Sequence, residues 1–248
     1  MCYNRKGAPE GSGNYYSTKS GGCLWPLGKN SAGDLDFIGS AAKEAPLLKH
    51  LGTVTLETDR LILRRFTAED AEEMFRNWAS NPHVTRCLTW TPHADVAETR
   101  RVLARWAQEY GHKDFYEWAV VPKDLGVPIG SIGLAYCPED PHSCEAGYCL
   151  GEPWWGRGYA SEALRAVLDF ALNVVGYRSV TAKHAMENPA SGRVMQKAGM
   201  SMRVGEILPV STSNGFFNCV VYEIRRPRKK GLFGSPKKPA AFYRIRTS

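Results

Sequence analysis

The alternation of apolar and polar residues changes period many times between residues 54 and 225, which predicts strands and helices in close succession. Val54–Phe66 alternates residue by residue and predicts a first strand, bent around Asp59. Two segments of helical period follow, one beginning after a capping residue at Thr67 and one running from about Asp95 to Tyr110. The patterned region therefore opens with a strand and two helices.

The rest of this region alternates strand and helix patterns and ends in a hairpin. The predicted elements are strands at Tyr116–Pro122, Pro128–Tyr136 and Cys144–Leu150, a helix from Gly156 to about Val175, a strand near Arg178–Met186, a helix at Pro189–Ala198, and strands at Met202–Ser213 and Phe216–Arg225. Gly199 closes the last helix, and Asn214-Gly215 favours a two-residue turn between the last strands. The order βααβββαβαββ predicts an α/β fold, an α+β mixed sheet with helices on both faces.

Composition and charge divide the chain into three parts. Residues 1–50 are rich in Gly, Ser, Pro and Asn without periodicity, so we expect a disordered N-terminal extension. Residues 51–226 are predicted to form one domain, and residues 227–248 a basic flexible tail. The chain has a net charge of +7, but nine basic residues and no acidic one lie from Arg225 onward. The domain is therefore close to neutral, and nucleic-acid binding is not expected except through the tail.

The sequence lacks the features of several classes of protein. The seven cysteines are odd in number, include no CxxC pair and have no accompanying histidine cluster, so neither a zinc site nor a disulfide framework is expected. No apolar run approaches the roughly 20 residues that cross a bilayer. The N-terminus also lacks the apolar stretch of a secretory signal. We expect a cytoplasmic protein with no metal and no membrane contact.

The segment Trp154–Ala163 carries the strongest chemical pattern. A predicted strand ends at Leu150, a turn with Gly156 and Gly158 follows, and an amphipathic helix begins at once. Free N–H groups at such a helix start bind anions, and Arg157 adds a positive charge. The alternative is a tight turn in which the glycines serve geometry alone. The segment matches neither the dinucleotide pattern GxGxxG nor a nucleotide-triphosphate loop.

Three ordered segments carry a resemblance to a known family. They are Glu57–Arg64, then Glu145–Tyr148 with Trp155–Ala163, then Asn188–Met200. Together they resemble the GNAT superfamily of N-acetyltransferases, and most closely its RimJ/RimL-like branch of ribosomal-protein alanine N-acetyltransferases. The resemblance covers about Thr53 to Ile224. It implies the GNAT acyl-CoA N-acyltransferase fold and direct transfer of an acetyl group from acetyl-CoA to an amine.

The resemblance also implies where acetyl-CoA binds. In that family the strands matching Cys144–Leu150 and Arg178–Met186 separate, and the pantetheine arm fills the gap as a surrogate strand, satisfying backbone groups that would otherwise be unpaired. An oxyanion donor is expected at a backbone N–H near the end of the first of these strands. The cofactor-binding residues implied are Cys149, Leu150, Gly156, Arg157, Gly158, Tyr159, Ala160 and Asn188.

Residue roles follow from the same resemblance. Glu145 is the candidate base, the alternative being a solvated carboxylate, and Glu117 is a weaker candidate. Ser191 is the candidate proton donor to the CoA sulfur, the alternative being a surface helix serine. Many relatives place a tyrosine where this chain has Met195, and a thioether cannot donate a proton.

Three other residues allow both a structural and a functional interpretation. Asn188 before a proline is a plain helix cap, and the family adds a hydrogen bond to the pantetheine arm. Trp90 and His93 are implied to wall the acceptor site, although a hydrophobic anchor and a helix start explain them as well. The predicted activity is acetylation of a primary amine, foremost a protein N-terminal α-amine. A small-molecule amine (antibiotic, polyamine or amino acid), or a non-catalytic acyl-CoA-binding domain, is the alternative. A monomer or a homodimer is expected.

Overall fold

Residues 47–227 and 243–246 are described in the computed structural model of the chain. Nine strands lie within these residues: β1 (Thr55–Glu57), β2 (Leu61–Arg64), β3 (Tyr116–Pro122), β4 (Gly130–Tyr136), β5 (Ser143–Leu150), β6 (Ser179–Ala185), β7 (Ser201–Thr212), β8 (Gly215–Arg225) and β9 (Arg244–Arg246). They form one mixed sheet in the order β7-β8-β6-β5-β4-β3-β2-β1-β9. The predicted α/β fold with a mixed sheet is confirmed.

Five α-helices connect and cover the strands. They are α1 (Ala71–Met74), α2 (Pro82–Thr85), α3 (Val96–Glu109), α4 (Tyr159–Asp169) and α5 (Pro189–Lys197). The first predicted helix is shorter and more irregular than its pattern indicated, because a 3₁₀ turn precedes α1 and a π-helical turn, Phe75–Ala79, follows it. A second π-helical turn extends α4 to Val175, where Gly176 adopts a left-handed conformation (φ 101°) and ends the helix.

The sheet lies between two apolar layers. Tyr116, Trp118 and Val120 of β3 face the layer that contains α4 and α5, whereas Ala119 and Val121 face the layer that contains α1 and α3. Because both faces are covered, most of β3 is buried and its sequence is apolar almost throughout. Successive residues of each central strand therefore contribute to opposite sides of the molecule.

β5 and β6 run parallel but pair only at their first residues. The pairs are Ser143 with Ser179, Cys144 with Val180, and Glu145 with Thr181. Beyond this point β5 stays paired with β4, and β6 stays paired with β8. A wedge-shaped gap therefore opens between the C-terminal halves of β5 and β6, as the family resemblance predicted.

The N-terminal part of the domain differs from the prediction in two ways. The predicted bent strand is two strands, because residues 58–60 form a turn in which the Leu61 N–H donates to Thr58 Oγ1 (3.0 Å). Residues assigned to the extension also contact the domain. Leu48 packs against its core, and His50 Nδ1 lies 3.0 Å from Tyr116 Oη. The expected disorder of residues 1–46 falls outside the described residues.

The C-terminal boundary also differs. Residues 243–246 were assigned to the basic flexible tail, yet Arg244–Arg246 form β9, which pairs antiparallel with β1. Tyr243, just before it, is buried in the core cluster on the α4 side of the sheet. The composition of the tail hid this contact, because a three-residue strand and one aromatic anchor leave no periodic pattern. The other residues after 227 lie outside the described part.

Candidate active site

The turn before α4 presents an open helix end. Gly156 and Gly158 have φ values of 75° and 83°, a left-handed conformation that glycine adopts without steric cost. The first intrahelical hydrogen bond runs from the Glu162 N–H to the Gly158 carbonyl (3.1 Å). The N–H groups of the three preceding helical residues therefore have no helical partner and create a positive end that suits phosphate oxygens.

The turn between β1 and β2 fixes this helix end. The Glu162 carboxylate accepts hydrogen bonds from Thr58 Oγ1 (2.6 Å), Arg60 N (2.9 Å) and Arg60 Nε (2.7 Å). The Arg60 guanidinium also lies over the Tyr159 ring, 4.7 Å from its centroid. Burial acts to raise the pKa of the Glu162 carboxyl, but its hydrogen bonds to Thr58 and Arg60 lower that pKa overall. Sequence reasoning did not identify this contact, although Thr58 and Arg60 lie in the first family segment.

Arg60 also orients a peptide group of the turn. Its Nη1 donates to the Arg157 carbonyl oxygen (3.0 Å). In a planar trans peptide the carbonyl and the following N–H point in opposite directions, so the Gly158 N–H is directed away from Arg60. Gly158 lines the cavity described below, whereas Arg157 does not and is exposed. Arg60 therefore shapes the turn, and the contact of Arg157 with the cofactor stays a prediction.

A cavity of about 460 Å³ joins the helix end to the gap in the sheet. Its walls come from the end of β5, the turn before α4, the first turns of α5, and the segment at α2. The lining residues are Tyr148, Cys149 and Leu150; Trp154, Trp155, Gly156, Gly158, Tyr159, Ala160 and Ser161; Asn188, Ala190, Ser191, Arg193, Val194 and Lys197; and His83, Val84, Arg86, Cys87 and Leu88. All predicted cofactor-binding residues except Arg157 are among them.

Backbone groups of β5 face the gap in alternation. The Gly151 N–H donates to the Ile129 carbonyl (2.8 Å), which fixes the phase of the β4–β5 ladder. In an antiparallel ladder alternate residues bond the same neighbour, so Cys149 directs its N–H towards β4 while Tyr148 and Leu150 direct theirs towards the gap. The Leu150 carbonyl accepts a hydrogen bond from the indole of Trp155 (2.7 Å). The oxyanion donor was expected at a backbone N–H near the end of this strand, and there the N–H of Leu150, unlike that of Cys149, is directed into the gap.

Ser191 has a partner that sequence reasoning missed. Tyr148 Oη donates to the Ser191 carbonyl oxygen (2.9 Å) and lies 2.8 Å from Ser191 Oγ. Burial raises the pKa of the Tyr148 phenol, so the group stays protonated at neutral pH. Met195 is 1% exposed and belongs to the core. Strand alternation in the sequence could have identified this partner, because it places Tyr148 on the face of β5 that α5 covers.

Glu145 lies at the apex of the gap and does not line the cavity. Its Oε2 is 2.8 Å from Lys183 Nζ on β6, across the last strand pair before the separation. Glu117 lies on the same face of the sheet, two strands away. A Cβ added to Gly133 would be 2.3 Å from Glu117 Oε2, so the carboxylate lies directly over that glycine. The structure thus places both candidate bases on the α1 side, opposite Ser191.

Asn188, Trp90 and His93 have structural partners. The Asn188 side chain accepts a hydrogen bond from the Ser191 N–H (3.3 Å) and caps α5 while lining the cavity. His93 is buried, its Nδ1 lies 2.8 Å from Thr99 Oγ1, and desolvation lowers its pKa. Trp90 packs beside His93, with ring centroids 5.2 Å apart. Neither Trp90 nor His93 lines the cavity, and their contact with substrate stays a prediction.

The described residues contain free cysteines but no cluster of side chains that could bind a metal ion. Within residues 47–227 and 243–246, no group of three or more His, Cys, Asp or Glu side chains could hold a metal ion. The five cysteines in that part of the chain are free thiols. None of the helices described there is long and apolar enough to cross a membrane.

Comparisons with known proteins agree with this geometry. A family model for the acetyltransferase (GNAT) domain matches residues 60–201. The chain is 30% identical over 175 residues to YoaA, an uncharacterized N-acetyltransferase of Bacillus subtilis, which covers 70% of this chain and 98% of that protein. It is 27% identical over 155 residues to the ribosomal protein uS5-alanine N-acetyltransferase of Escherichia coli. This match covers 59% of this chain and 77% of that protein.

Solved structures show the same fold. The ribosomal-protein-S5-alanine acetyltransferase of Vibrio fischeri superposes with a TM-score of 0.61 at 16% identity, covering 71% of this chain and 99% of that one. An acetyltransferase (GNAT family) of Bacillus anthracis superposes with a TM-score of 0.60 at 22% identity. This match covers 69% of this chain and 98% of that one. An open helix end beside a gap in a mixed sheet, with these matches, defines an acyl-CoA-dependent transferase. The chain belongs to the GNAT family of N-acetyltransferases, whose co-substrate is acetyl-CoA.

The described residues fit that co-substrate. The open end of α4 suits a pyrophosphate, and the gap-facing N–H groups of β5 suit an extended amide-containing arm. The cavity connects these two features and has hydroxyl groups of Tyr148 and Ser191 in its wall.

Proposed function

We propose that this enzyme acetylates the N-terminal α-amine of a protein, as a member of the RimJ/RimL-like branch. Two similarities support the acceptor class: the sequence similarity to the uS5-alanine enzyme of Escherichia coli, and the three family segments that led to the same branch. The observation that carries the transferase chemistry is the gap between β5 and β6 beside the open end of α4.

Binding would use backbone groups for the most part. Acetyl-CoA supplies the acetyl group as a thioester. The N–H groups at the start of α4 hold the pyrophosphate, with Arg60 and Glu162 keeping that helix end in place. The edges of β5 and β6 that face the gap hold the pantetheine arm as a surrogate strand, and Asn188, which lines the same cavity, is placed to join them.

The acceptor amine must lose a proton before it attacks. We assign this role to Glu145, acting through water, because its carboxylate lies at the apex of the gap on the face opposite α5. Lys183 holds one carboxylate oxygen of Glu145 at 2.8 Å, which fixes the orientation of the group. Glu117 on the same face is the alternative base, and separate Glu145→Gln and Glu117→Gln variants distinguish the two.

The remaining groups serve the carbonyl oxygen and the sulfur. As the C–N bond forms and the C–S bond breaks, the Leu150 N–H stabilises negative charge on the acetyl oxygen. Ser191 Oγ donates a proton to the departing sulfur, and the Tyr148 phenol returns a proton to Ser191 Oγ by turning its O–H from the Ser191 carbonyl to the hydroxyl 2.8 Å away. The phenolate regains a proton from solvent and Glu145 releases the amine proton to solvent, so each group ends in its starting state.

The acceptor can be identified directly. A cell lysate and a library of peptides with varied N-terminal residues are incubated with the enzyme and isotope-labelled acetyl-CoA, and the labelled products are identified by mass spectrometry. Label on protein or peptide α-amines supports the proposal. Label confined to small amines would mean that the acceptor is a small molecule and not a protein. Binding of acetyl-CoA with no labelled product under any condition contradicts the catalytic role.

A further inference from the structure

A short segment spans the mouth of the gap between β5 and β6. This wall segment, Asn81–Trp90, begins near the β5 side, where Asn81 Nδ2 lies 3.3 Å from Glu152 Oε2. Further along, Cys87 packs in one buried cluster with Ala185 of β6 and Cys219 of β8. Five residues of the segment line the cavity: His83, Val84, Arg86, Cys87 and Leu88. The wall segment therefore borders the cavity on the α1 side of the sheet, the side on which the candidate bases lie.

The tip of the β7–β8 hairpin holds the wall segment. Asn214 Nδ2 donates to the carbonyl oxygens of Thr85 (3.0 Å), Leu88 (3.0 Å) and Trp90 (2.7 Å). A primary amide has two hydrogens, so one of them is shared between two acceptors. Three backbone carbonyls of this segment thus accept hydrogen bonds from one side chain distant in sequence, and one of them, that of Thr85, also accepts from the Leu88 N–H (2.7 Å).

The hairpin turn does not use this amide. Within the turn, Thr212 Oγ1 accepts a hydrogen bond from the Asn214 backbone N–H (3.0 Å) and donates to the Gly215 carbonyl (3.1 Å). Gly215 adopts a φ of 133°, which glycine permits. Ser213 adds a weaker contact from its Oγ to the Thr89 carbonyl (3.3 Å). The Asn214 side chain is therefore available to the wall segment alone.

We infer that Asn214 is a positioning residue that sets which amines reach the thioester. The inference rests on the proposed function, since it concerns access of the acceptor. By holding three carbonyls of the wall segment, Asn214 fixes the cavity-lining residues between them, including Cys87 and Leu88, relative to β6 and β8. Binding of CoA depends on the α4 end and the strand edges, which Asn214 does not touch. The two substrates should therefore respond differently to its removal.

Asn214→Gly is the decisive variant, because a Gly-Gly turn supports the same hairpin while the amide is deleted. Asn214→Asp keeps the shape but directs oxygen at three carbonyl oxygens, so its effect should be larger. Asn218→Ala is the matched control, since Asn218 is an exposed asparagine on β8 of the same hairpin.

The rate of acetylation is measured for four amines: a hexapeptide bearing N-terminal alanine, spermidine, free lysine and an aminoglycoside. The Kd for CoA is measured for each variant. Hydrogen exchange of residues 83–90 is measured in parallel.

The expected result for Asn214→Gly is a shift of about tenfold in the relative kcat/KM values among these amines, from the loss of roughly one net hydrogen-bond energy. The Kd for CoA should stay within about twofold, and exchange of residues 83–90 should accelerate; Asn218→Ala should resemble the wild type. Unchanged exchange, unchanged amine preference, or a proportional loss of CoA affinity overturns the inference. A wild-type enzyme that acetylates none of the amines instead counts against the proposed function, and the exchange measurement still decides the role of Asn214.

Discussion

At the residue scale, the proposed source of the proton for the departing sulfur is the least conventional feature of the site. Many relatives have a tyrosine at the position of Met195, which here is buried in the core. Tyr148 on the neighbouring strand brings a phenol within 2.8 Å of Ser191 Oγ, in the wall of the cavity. Burial raises the pKa of this phenol, so the group keeps its proton and is a reluctant acid on its own. In the proposed mechanism, the hydroxyls of Tyr148 and Ser191 together take the place of that tyrosine.

Tyr148→Phe removes the phenol and keeps the ring. We expect kcat to fall by about tenfold to a hundredfold, in the range of lost proton-transfer assistance, while the Kd for acetyl-CoA changes little. Single-turnover kinetics and equilibrium binding measure the two effects. Tyr222→Phe is the control, because Tyr222 Oη accepts from Gln196 Nε2 (3.1 Å) and lies outside the cavity wall. Equal kcat values in Tyr148→Phe and wild type would exclude the paired hydroxyls.

Individual residues were predictable where a role follows from local sequence. The Gly158 turn and the Asn188 cap are of this kind, since a left-handed glycine and a cap before proline are short-range features. The contact between Lys183 and Glu145 was not predictable, because it depends on which residues of two separating strands lie opposite each other. The role of Arg60 was not predictable either, because its partner Glu162 lies 102 residues away in sequence.

At the scale of elements, the β1–β2 turn and α4 form one unit. Nε and Nη2 of Arg60 both contact Glu162 Oε2, and its Nη1 donates to the Arg157 carbonyl, so this arginine orients the peptide groups of the turn before α4. The predicted single strand through Asp59 failed here for a tertiary reason. The chain turns at residues 58–60 so that the Thr58 hydroxyl, the Arg60 N–H and the Arg60 side chain reach Glu162.

Arg60→Lys tests this unit through the ligand. A lysine keeps the charge but cannot hold Glu162 and the Arg157 carbonyl together, so binding of the pyrophosphate should weaken. We expect the Kd values for CoA and 3′-dephospho-CoA to rise by about tenfold, and the weak affinity for pantetheine, which has no pyrophosphate, to stay unchanged. Arg64→Lys is the matched control, since Arg64 binds Asp70 away from the cavity. An equal loss for pantetheine would mean general damage.

The same unit should respond to acid. The pKa of Glu162 is lowered in the folded protein from its ordinary value near 4.5, so its contribution to stability is fully present above that pH. The contribution is lost as the pH falls below about 4.5 towards the folded-state pKa, because the unfolded chain then binds the proton first. Glu162→Gln should thus be less stable than wild type at pH 6, with the difference shrinking by pH 3. Denaturant unfolding at several pH values measures it, and a constant difference contradicts this account.

At the scale of the whole molecule, the order of strands and helices was readable because each central element has a periodic pattern long enough to recognise. β3 matches its predicted bounds, and β5, β6 and α5 match theirs within about a residue at each end. The sheet edges were less readable. β9 was missed because its three residues gain their place from pairing with β1 and from the burial of Tyr243, and neither is local.

This C-terminal strand completes the fold at the edge of the sheet far from the active site. Tyr243 is 7% exposed in the core cluster under β1 and β2, so Tyr243→Ala removes a large buried ring. We expect a loss of about 2–4 kcal/mol in the free energy of unfolding, and a fall of about 5–10 °C in Tm. Ile245→Ala, at a residue 37% exposed on the same strand, should cost less than about 1 kcal/mol. Because four strands separate β9 from β5, the folded Tyr243→Ala protein should bind CoA as the wild type does. Equal melting temperatures for the two variants would mean that Tyr243 does not anchor the end of the chain.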